Sequence, residues 1–381
     1  MDNRLNMFTP ISQKLILLVF IFLACEKIEN ESIINCEEVF LKDNTEILLG
    51  IGDGAEHLNP SSELYFALNF DRVTATDFFS TFLWQDYSTY TFDLTEEFID
   101  YLLSVDIEVH AHVLIYPLPS VSPDFLVNFN GSNEEFELLV KNYIQAVVNR
   151  FKGKVKSYDL ANELFDYNNS QTNPTWLRNR FSSDQEMFDF IARCFRYAHE
   201  ADPNALLFYN DYGQEFKNNN YEKGNAIFNQ ILQWKNSGVP IHGYGLQMHT
   251  NIYRPLEDIR NALELASKTG LLIHISELDV SLNWADFDVP GVNGGEQNIT
   301  EVSPELLILQ ANMYKDIAEI YQKTVPLSQR YGITVWGVSD EDSWLGDNRF
   351  EAGTIMANPK TRKPAFWFFL EGLSNKNYDC E

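Results

Sequence analysis

Two glutamates each follow an apolar, strand-like run. Glu163 closes SYDLANE (157–163), and Glu277 lies within LLIHISELDV (271–280). Asn and Glu are poor strand formers, and a buried carboxylate is expensive without a partner. Either these strands end in water or the carboxylates have a task. Two opposed carboxylates suit glycosidic bond cleavage: one protonates the leaving oxygen and the other attacks the anomeric carbon. The proton donor should be the less solvated of the two, or the closer to negative charge. Glu277 and Asp279 are two apart on a strand and share a face. His249 in IHGYGLQMHT (241–250) can bridge them. Asn162 can hydrogen-bond a sugar hydroxyl next to the scissile bond.

The elements that must position these residues form a repeating pattern. β-type runs occur near 46–52, 65–75, 107–116, 155–163, 205–213, 241–250, 271–280 and 332–342. Amphipathic helical patterns such as EEFELLVKNYIQAVVNRF and DQEMFDFIARCFRYAHEA separate most of them. Strand–helix alternation repeated eight times predicts an α/β fold, a single (β/α)8 TIM barrel. The rival, a doubly wound open sheet, would normally carry a Gly-rich phosphate turn, and none is present. The longest strand-poor insertion, 281–303, follows strand seven on the active-site side.

In such barrels the active site lies at the C-terminal ends of the strands. The polar residues there are His110 and His112 on strand three, Asn162 and Glu163 on four, and Asn210 and Asp211 on five. Gln247 and His249 end strand six, Glu277 and Asp279 strand seven, and Trp336, Asp340 and Trp344 strand eight. Strands four and seven face each other across an eight-stranded barrel, which opposes the two glutamates. Either short motif alone is more often a solvated turn; six polar strand ends converging on one mouth are harder to read that way. His112, His249, Glu277 and Asp279 are the rival set for a metal, but no H-E-x-x-H pattern occurs, and His110 and His112 can equally form a polar layer. No G-x-S-x-G elbow is present. The sequence calls for no metal and no cofactor.

The chain has 381 residues, 45% hydrophobic and 14% aromatic, as in an ordered globular protein. Its net charge of -27 disfavours nucleic acid and anionic membrane surfaces as partners. A neutral or cationic ligand fits, with some Trp and Tyr as sugar-stacking platforms, and a monomer is expected. The run LILLVFIFLA (15–24) is too short to span a bilayer and suits a signal-peptide core after Arg4 and Lys14. It leads into Leu23-Ala24-Cys25, which resembles a bacterial lipoprotein cleavage box; an ordinary signal peptide with an incidental Cys is the alternative. On the lipoprotein reading, residues 1–24 are the signal, Cys25 is lipidated, and 25–44 is an acidic tether. The protein would then sit in the bacterial cell envelope, held to the membrane only by its N-terminal lipid. Residues 45–375 would be the catalytic domain and 376–381 a tail. Cys194 lies in a helical pattern as a buried apolar residue. Cys36 and Cys380 can pair if a closed barrel brings the chain ends together, or remain two terminal thiols.

Jointly the motifs resemble glycoside hydrolase family 10, the endo-β-1,4-xylanase family. YDLANE resembles its strand-four motif Trp-Asp-Val-Val-Asn-Glu, and HISELDV its strand-seven Ile-Thr-Glu-Leu-Asp. GYGLQMHT resembles the strand-six Gly-x-Gly-x-Gln-x-His, YNDY (209–212) the strand-five Asn-Asp-Tyr, and TVWGVSDEDSWL (334–345) the strand-eight segment. The resemblance implies a retaining endo-xylanase acting on a β-linked polysaccharide, xylan. It makes Glu163 the acid/base and Glu277 the nucleophile, with His249 and Asp279 behind Glu277. Asn162, His112 and Gln247 would bind the sugar at the cleavage point, walled by Trp336 and Trp344. The departures cluster on the substrate's non-reducing side. The usual Thr-x-Glu-Asn-x-x-Lys after strand two has Thr76, Asp77 and Ser80 at the Glu, Asn and Lys positions. After strand three, Trp becomes Tyr116 and the second His becomes Pro117. The alternatives are a related hydrolase of another or a decorated β-glycan, and a non-catalytic glycan-binding lipoprotein.

Overall fold

Among the described residues, eight parallel strands alternate with eight helices of at least ten residues. The first half comprises β1 (Leu49–Asp53), α1 (Pro60–Asn69), β2 (Arg72–Ala75), α2 (Asp93–Ser104), β3 (Glu108–Ala111), α3 (Asn133–Arg150), β4 (Ser157–Asn162) and α4 (Asp184–Ala201). The second comprises β5 (Leu206–Asp211), α5 (Glu222–Asn236), β6 (Gly243–Leu246), α6 (Leu256–Ser267), β7 (Leu272–Ser281), α7 (Pro304–Thr324), β8 (Arg330–Trp336) and α8 (Pro364–Ser374). The strands pair in chain order, and β8 pairs with both β7 and β1, so the sheet closes. This is a (β/α)8 TIM barrel. The computed structural model describes residues 35–55, 60–166, 171–217, 220–282, 299, 301–345, 352–378 and 380. Cys25, the 1–24 segment and most of the 281–303 insertion lie outside the described residues.

The helices carry the start signals that their sequences supply. Ser132 accepts from the backbone of Glu135 while the Glu135 side chain accepts from the Ser132 backbone, a capping box on α3. Ser183 and Ser303 cap α4 and α7 in the same way on one side only. Helix α4 buries Met187, Ile191, Cys194, Phe195 and Ala198, a stripe at helical spacing facing the barrel.

One part of the barrel interior is filled by rings. His110, Phe208, His274 and Tyr331 meet with centroids 5.3 Å apart for His110–His274 and 4.4 Å for Phe208–Tyr331. Two of the ring nitrogens bond inside the barrel: His110 Nδ1 with Ser157 Oγ at 2.7 Å, His274 Nε2 with Thr334 Oγ1 at 2.8 Å. Burial pushes His274 well below its ordinary value, so it stays neutral. The Arg72 guanidinium lies 3.9 Å from the centre of the Tyr331 ring and pairs with Glu108 at 2.9 Å.

Three expected strands need correction. Residues 65–69 belong to α1, not to a strand. Tyr65 and Phe66 are buried on the helix and Phe70 just past its end, and the apolar run fits either period. The strand expected at 107–116 leaves the β2 ladder after Ala111. Beyond it, Leu114 and Ile115 donate to Asp159 and Leu160 of β4. The strand expected at 332–342 stops at Trp336, because Gly337 takes a φ of 95° and a short 3-10 turn follows at Asp340–Asp342. Helices α1 and α8, which the reading of the sequence did not include, complete the ring. A Cys36–Cys380 disulfide, with Cα atoms 5.8 Å apart, ties the chain ends together.

Candidate active site

Glu163 is the first residue past β4, and its backbone is left-handed at φ 53°. A glutamate there is strained by about 1 kcal/mol or more. Backbone bonds hold it: its N–H donates to Asn210 O at 3.1 Å, and its carbonyl accepts from Asn173 Nδ2 at 3.3 Å. The carboxylate is gripped on both oxygens. Oε1 accepts from Gln247 Nε2 at 2.9 Å and Asn162 Nδ2 at 3.2 Å. Oε2 accepts from the Tyr116 hydroxyl at 2.7 Å. Burial pushes the Glu163 pKa up. The bonds from Gln247 and Tyr116 pull it back, and the charges of Asp211 and Glu277 reinforce the rise, so the net shift is upward.

Glu277 projects from β7 and is 4% exposed. Its Oε1 accepts from Asn210 Nδ2 at 2.6 Å, and its Oε2 lies 3.2 Å from His249 Nε2. The other imidazole nitrogen, Nδ1, lies 2.8 Å from Asp279 Oδ2. Burial alone would lower His249, but Asp279 and then Glu277 outweigh it and hold the imidazole up at about 10. At neutral pH His249 is therefore a cation donating to both carboxylates. Gln247 and His249 flank Met248, whose φ is 65°; one reaches Glu163 and the other Glu277.

The two glutamates share one network. Asn210 Nδ2 also donates to Asn162 Oδ1 at 3.0 Å, and Gln247 Nε2 to the same oxygen at 3.1 Å. Strand register produces this, since Asn162 pairs with Asn210 and Asn210 with Gly245. An added Cβ at Gly245 would lie 2.2 Å from Asn210 Oδ1, so only glycine leaves Asn210 its place. Ser276 Oγ donates to that Oδ1 at 2.6 Å.

The remaining expected residues line the same mouth. His112 Nδ1 lies 2.8 Å from Asp159 Oδ2. Burial opposes the charged imidazole, but the Asp159 bond and the Glu277 charge outweigh it and raise His112. Asp159 itself, despite burial, is held well below the carboxylate range by His110 and His112. Trp336 sits over Gly52, and its ring meets His112 at 5.6 Å and His249 at 6.4 Å. Trp344 donates from Nε1 to Asp279 Oδ2 at 2.8 Å and is 46% exposed.

Three residues of this network escaped the reading of the sequence as site residues, and Ser276 gave no signal beyond its place beside Glu277. Asn210 was visible only as a polar strand end, although YNDY marked its strand. Tyr116 was visible only as a departure from the family's Trp. On the strand-two side, Asp77 accepts from the Ala55 backbone at 3.1 Å, and buried Ser80 donates to Val121 O at 3.2 Å. Phe79 instead packs its ring against His112 and Tyr116.

Comparison with known proteins places this site in a family. The model of "Glycosyl hydrolase family 10" matches residues 52–371. An endo-1,4-beta-xylanase of Geobacillus stearothermophilus is 34% identical over 267 residues, which is 68% of this chain and 76% of that protein. Endo-1,4-beta-xylanase A of Cellvibrio japonicus is 33% identical over 325 residues, covering 81% of this chain and 51% of that longer protein. A mutant of xylanase 10C from Cellvibrio japonicus, solved with xylopentaose, superposes with a TM-score of 0.80 at 25% identity, over 89% of this chain and 69% of that one. The family model spans most of the barrel and its mouth, and the chain is a glycoside hydrolase belonging to glycosyl hydrolase family 10.

Proposed function

We propose that this chain is a retaining endo-β-1,4-xylanase that cuts internal bonds of xylan by double displacement. The observation that carries the reading is the pair Glu163 and Glu277, joined across the mouth through Asn162, Asn210 and Gln247. Glu277 attacks the anomeric carbon while Glu163 gives its proton to the departing oxygen, leaving a glycosyl ester on Glu277. Glu163, now a carboxylate, takes a proton from water. That water attacks the same carbon and releases Glu277 with net retention. The raised pKa of Glu163 suits the donor. Asn210 and His249 hold Glu277 for in-line attack. The second Nδ2 hydrogen of Asn162 is left for a sugar hydroxyl, and Trp336 and Trp344 offer apolar faces to the ring. Relatives named as xylanases and a structural neighbour solved with xylopentaose support xylan as the polymer.

The test is product analysis on xylo-oligosaccharides by proton NMR. Internal cleavage with the β-anomer appearing first is expected. Cleavage of another β-glycan with xylan left intact would overturn the substrate.

A second reading concerns decoration. Asp77 and Ser80 bond to backbone and Phe79 faces the site, so the polar grip usual after strand two is replaced. This favours a substrate preference shifted toward substituted or mixed-linkage xylans. Turnover across those polymers in the same ratio as for a relative with the usual motif would remove it. Lipid attachment at Cys25 is proposed from the Leu-Ala-Cys box. Cys25→Ser should move the protein from the membrane to the soluble fraction; unchanged fractionation contradicts it.

A further inference from the structure

The orientation of the amides in the network is fixed from one end. The Glu277 carboxylate only accepts, so Asn210 must turn its Nδ2 toward Glu277. Its Oδ1 accepts from Ser276. The Nδ2 of Asn210 also reaches Asn162, which must therefore present its Oδ1 there and its Nδ2 to Glu163. Gln247 bonds that same Oδ1 and so presents its Nε2 to both Asn162 and Glu163. Among the described residues, Oε1 of Glu163 thus meets two N–H donors and no acceptor. A proton on Oε1 would point into N–H hydrogens. Oε2 faces only the Tyr116 hydroxyl among its described hydrogen-bond partners, at 2.7 Å. A phenol oxygen donates to a carboxylate and accepts from a carboxylic acid, so it serves both protonation states. The indole usual at this position only donates.

We infer that Tyr116 is a positioning residue for Glu163, fixing Oε2 as the oxygen that carries the transferable proton and setting the upper pH limit of proton donation. This rests on Glu163 being the proton donor. Burial and the neighbouring Glu163 charge push the Tyr116 hydroxyl far up, so it stays an O–H donor throughout the working range. Phe79 and His112 pack around its ring at 6.3 and 6.5 Å. Among the described residues, Asp211 and Glu277 also raise Glu163, His112 interacts with its charge, and Glu277 and Tyr212 act on Tyr116. Tyr116 is the titratable neighbour that bonds Oε2 directly and lowers it.

The experiment uses Tyr116→Phe, which keeps the ring and removes the hydroxyl. Two substrates are compared by kcat/KM: xylotetraose, whose departing sugar needs a proton, and an aryl xylobioside with an acidic phenol, which does not. In Tyr116→Phe the alkaline limb for xylotetraose should move up by about one pH unit. At neutral pH its kcat/KM should fall about tenfold while that of the aryl substrate changes less than about twofold. An unmoved limb, or equal losses on both substrates, overturns the inference. Glu163→Ala in the same assay separates the two claims. If it spares xylotetraose, the donor assignment fails and the inference with it. If it suppresses xylotetraose selectively while Tyr116→Phe behaves as wild type, only the role of Tyr116 fails.

Discussion

His249 is the residue whose charge state most affects the site. Its pKa stands at about 10, against an ordinary value of 6.5. Between those values the folded protein keeps a proton that the unfolded chain releases. The stabilisation is therefore complete below about pH 6.5, declines as pH rises, and is lost as pH passes about 10. The unfolding free energy of the wild type minus that of His249→Gln should fall across this window, by at most about 1.4 kcal/mol per pH unit. Urea unfolding at a series of pH values measures it; parallel curves would contradict the bridging cation. At this scale the sequence was legible where a strand alternates. Glu277 and Asp279 at i and i+2 had to share a face, and His249 lay on the neighbouring strand. Tyr116 was not legible as a partner of Glu163. Its contact depends on how the chain beyond β3 turns to pair with β4, which is a tertiary fact.

Element geometry carries the network as much as the side chains do. Asn210 holds its place because Gly245, beside it on β6, leaves room. Gly245→Ala should force the Asn210 amide aside and break its bonds to Asn162, Glu277 and Ser276. Loss of a hydrogen bond to a charged group is worth about 1.5–3 kcal/mol, so kcat should fall by roughly 10- to 100-fold. Overpacking should lower stability by about 1–3 kcal/mol. Steady-state kinetics beside a thermal melt test this; an unchanged kcat would show that Asn210 does not orient Glu277. Ser132→Ala, at a position whose capping bonds are to Glu135 and to none of the mouth residues, should remove about 1 kcal/mol of stability through the α3 cap and leave kcat unchanged. A lowered kcat in that variant would mean that the mouth depends on α3. Most elements were readable because buried parallel strands are nearly continuous apolar runs. The misreading at 65–75 has the same cause, since a short apolar run has no distinctive period. Helix α8 was hidden by its aromatic run, apolar almost all round.

The whole molecule is a closed ring whose ends are tied. The Cys36–Cys380 bond encloses nearly the entire described chain, with a sequence separation of 344. Chain-entropy arguments give such a long loop a stabilisation of about 2–5 kcal/mol, mostly through the unfolded state. Cys380→Ser should lower the denaturation midpoint accordingly and leave kcat unchanged, because neither cysteine is among the described hydrogen-bond partners of Glu163 or Glu277. A lowered kcat with an unchanged midpoint would contradict that separation of roles. Eightfold strand–helix alternation made the barrel legible, and with it the convergence of the ends of strands four and seven on one mouth. The measurement that bears most directly on Glu277 as nucleophile opposite Glu163 is covalent trapping. A xylobioside fluorinated beside its anomeric carbon, with a good leaving group, should react once and stall as a glycosyl ester. Mass spectrometry of the digested protein should find that adduct on Glu277, and none in Glu277→Ala. An adduct on a different residue, or steady turnover to an inverted product with no adduct, would contradict the double displacement.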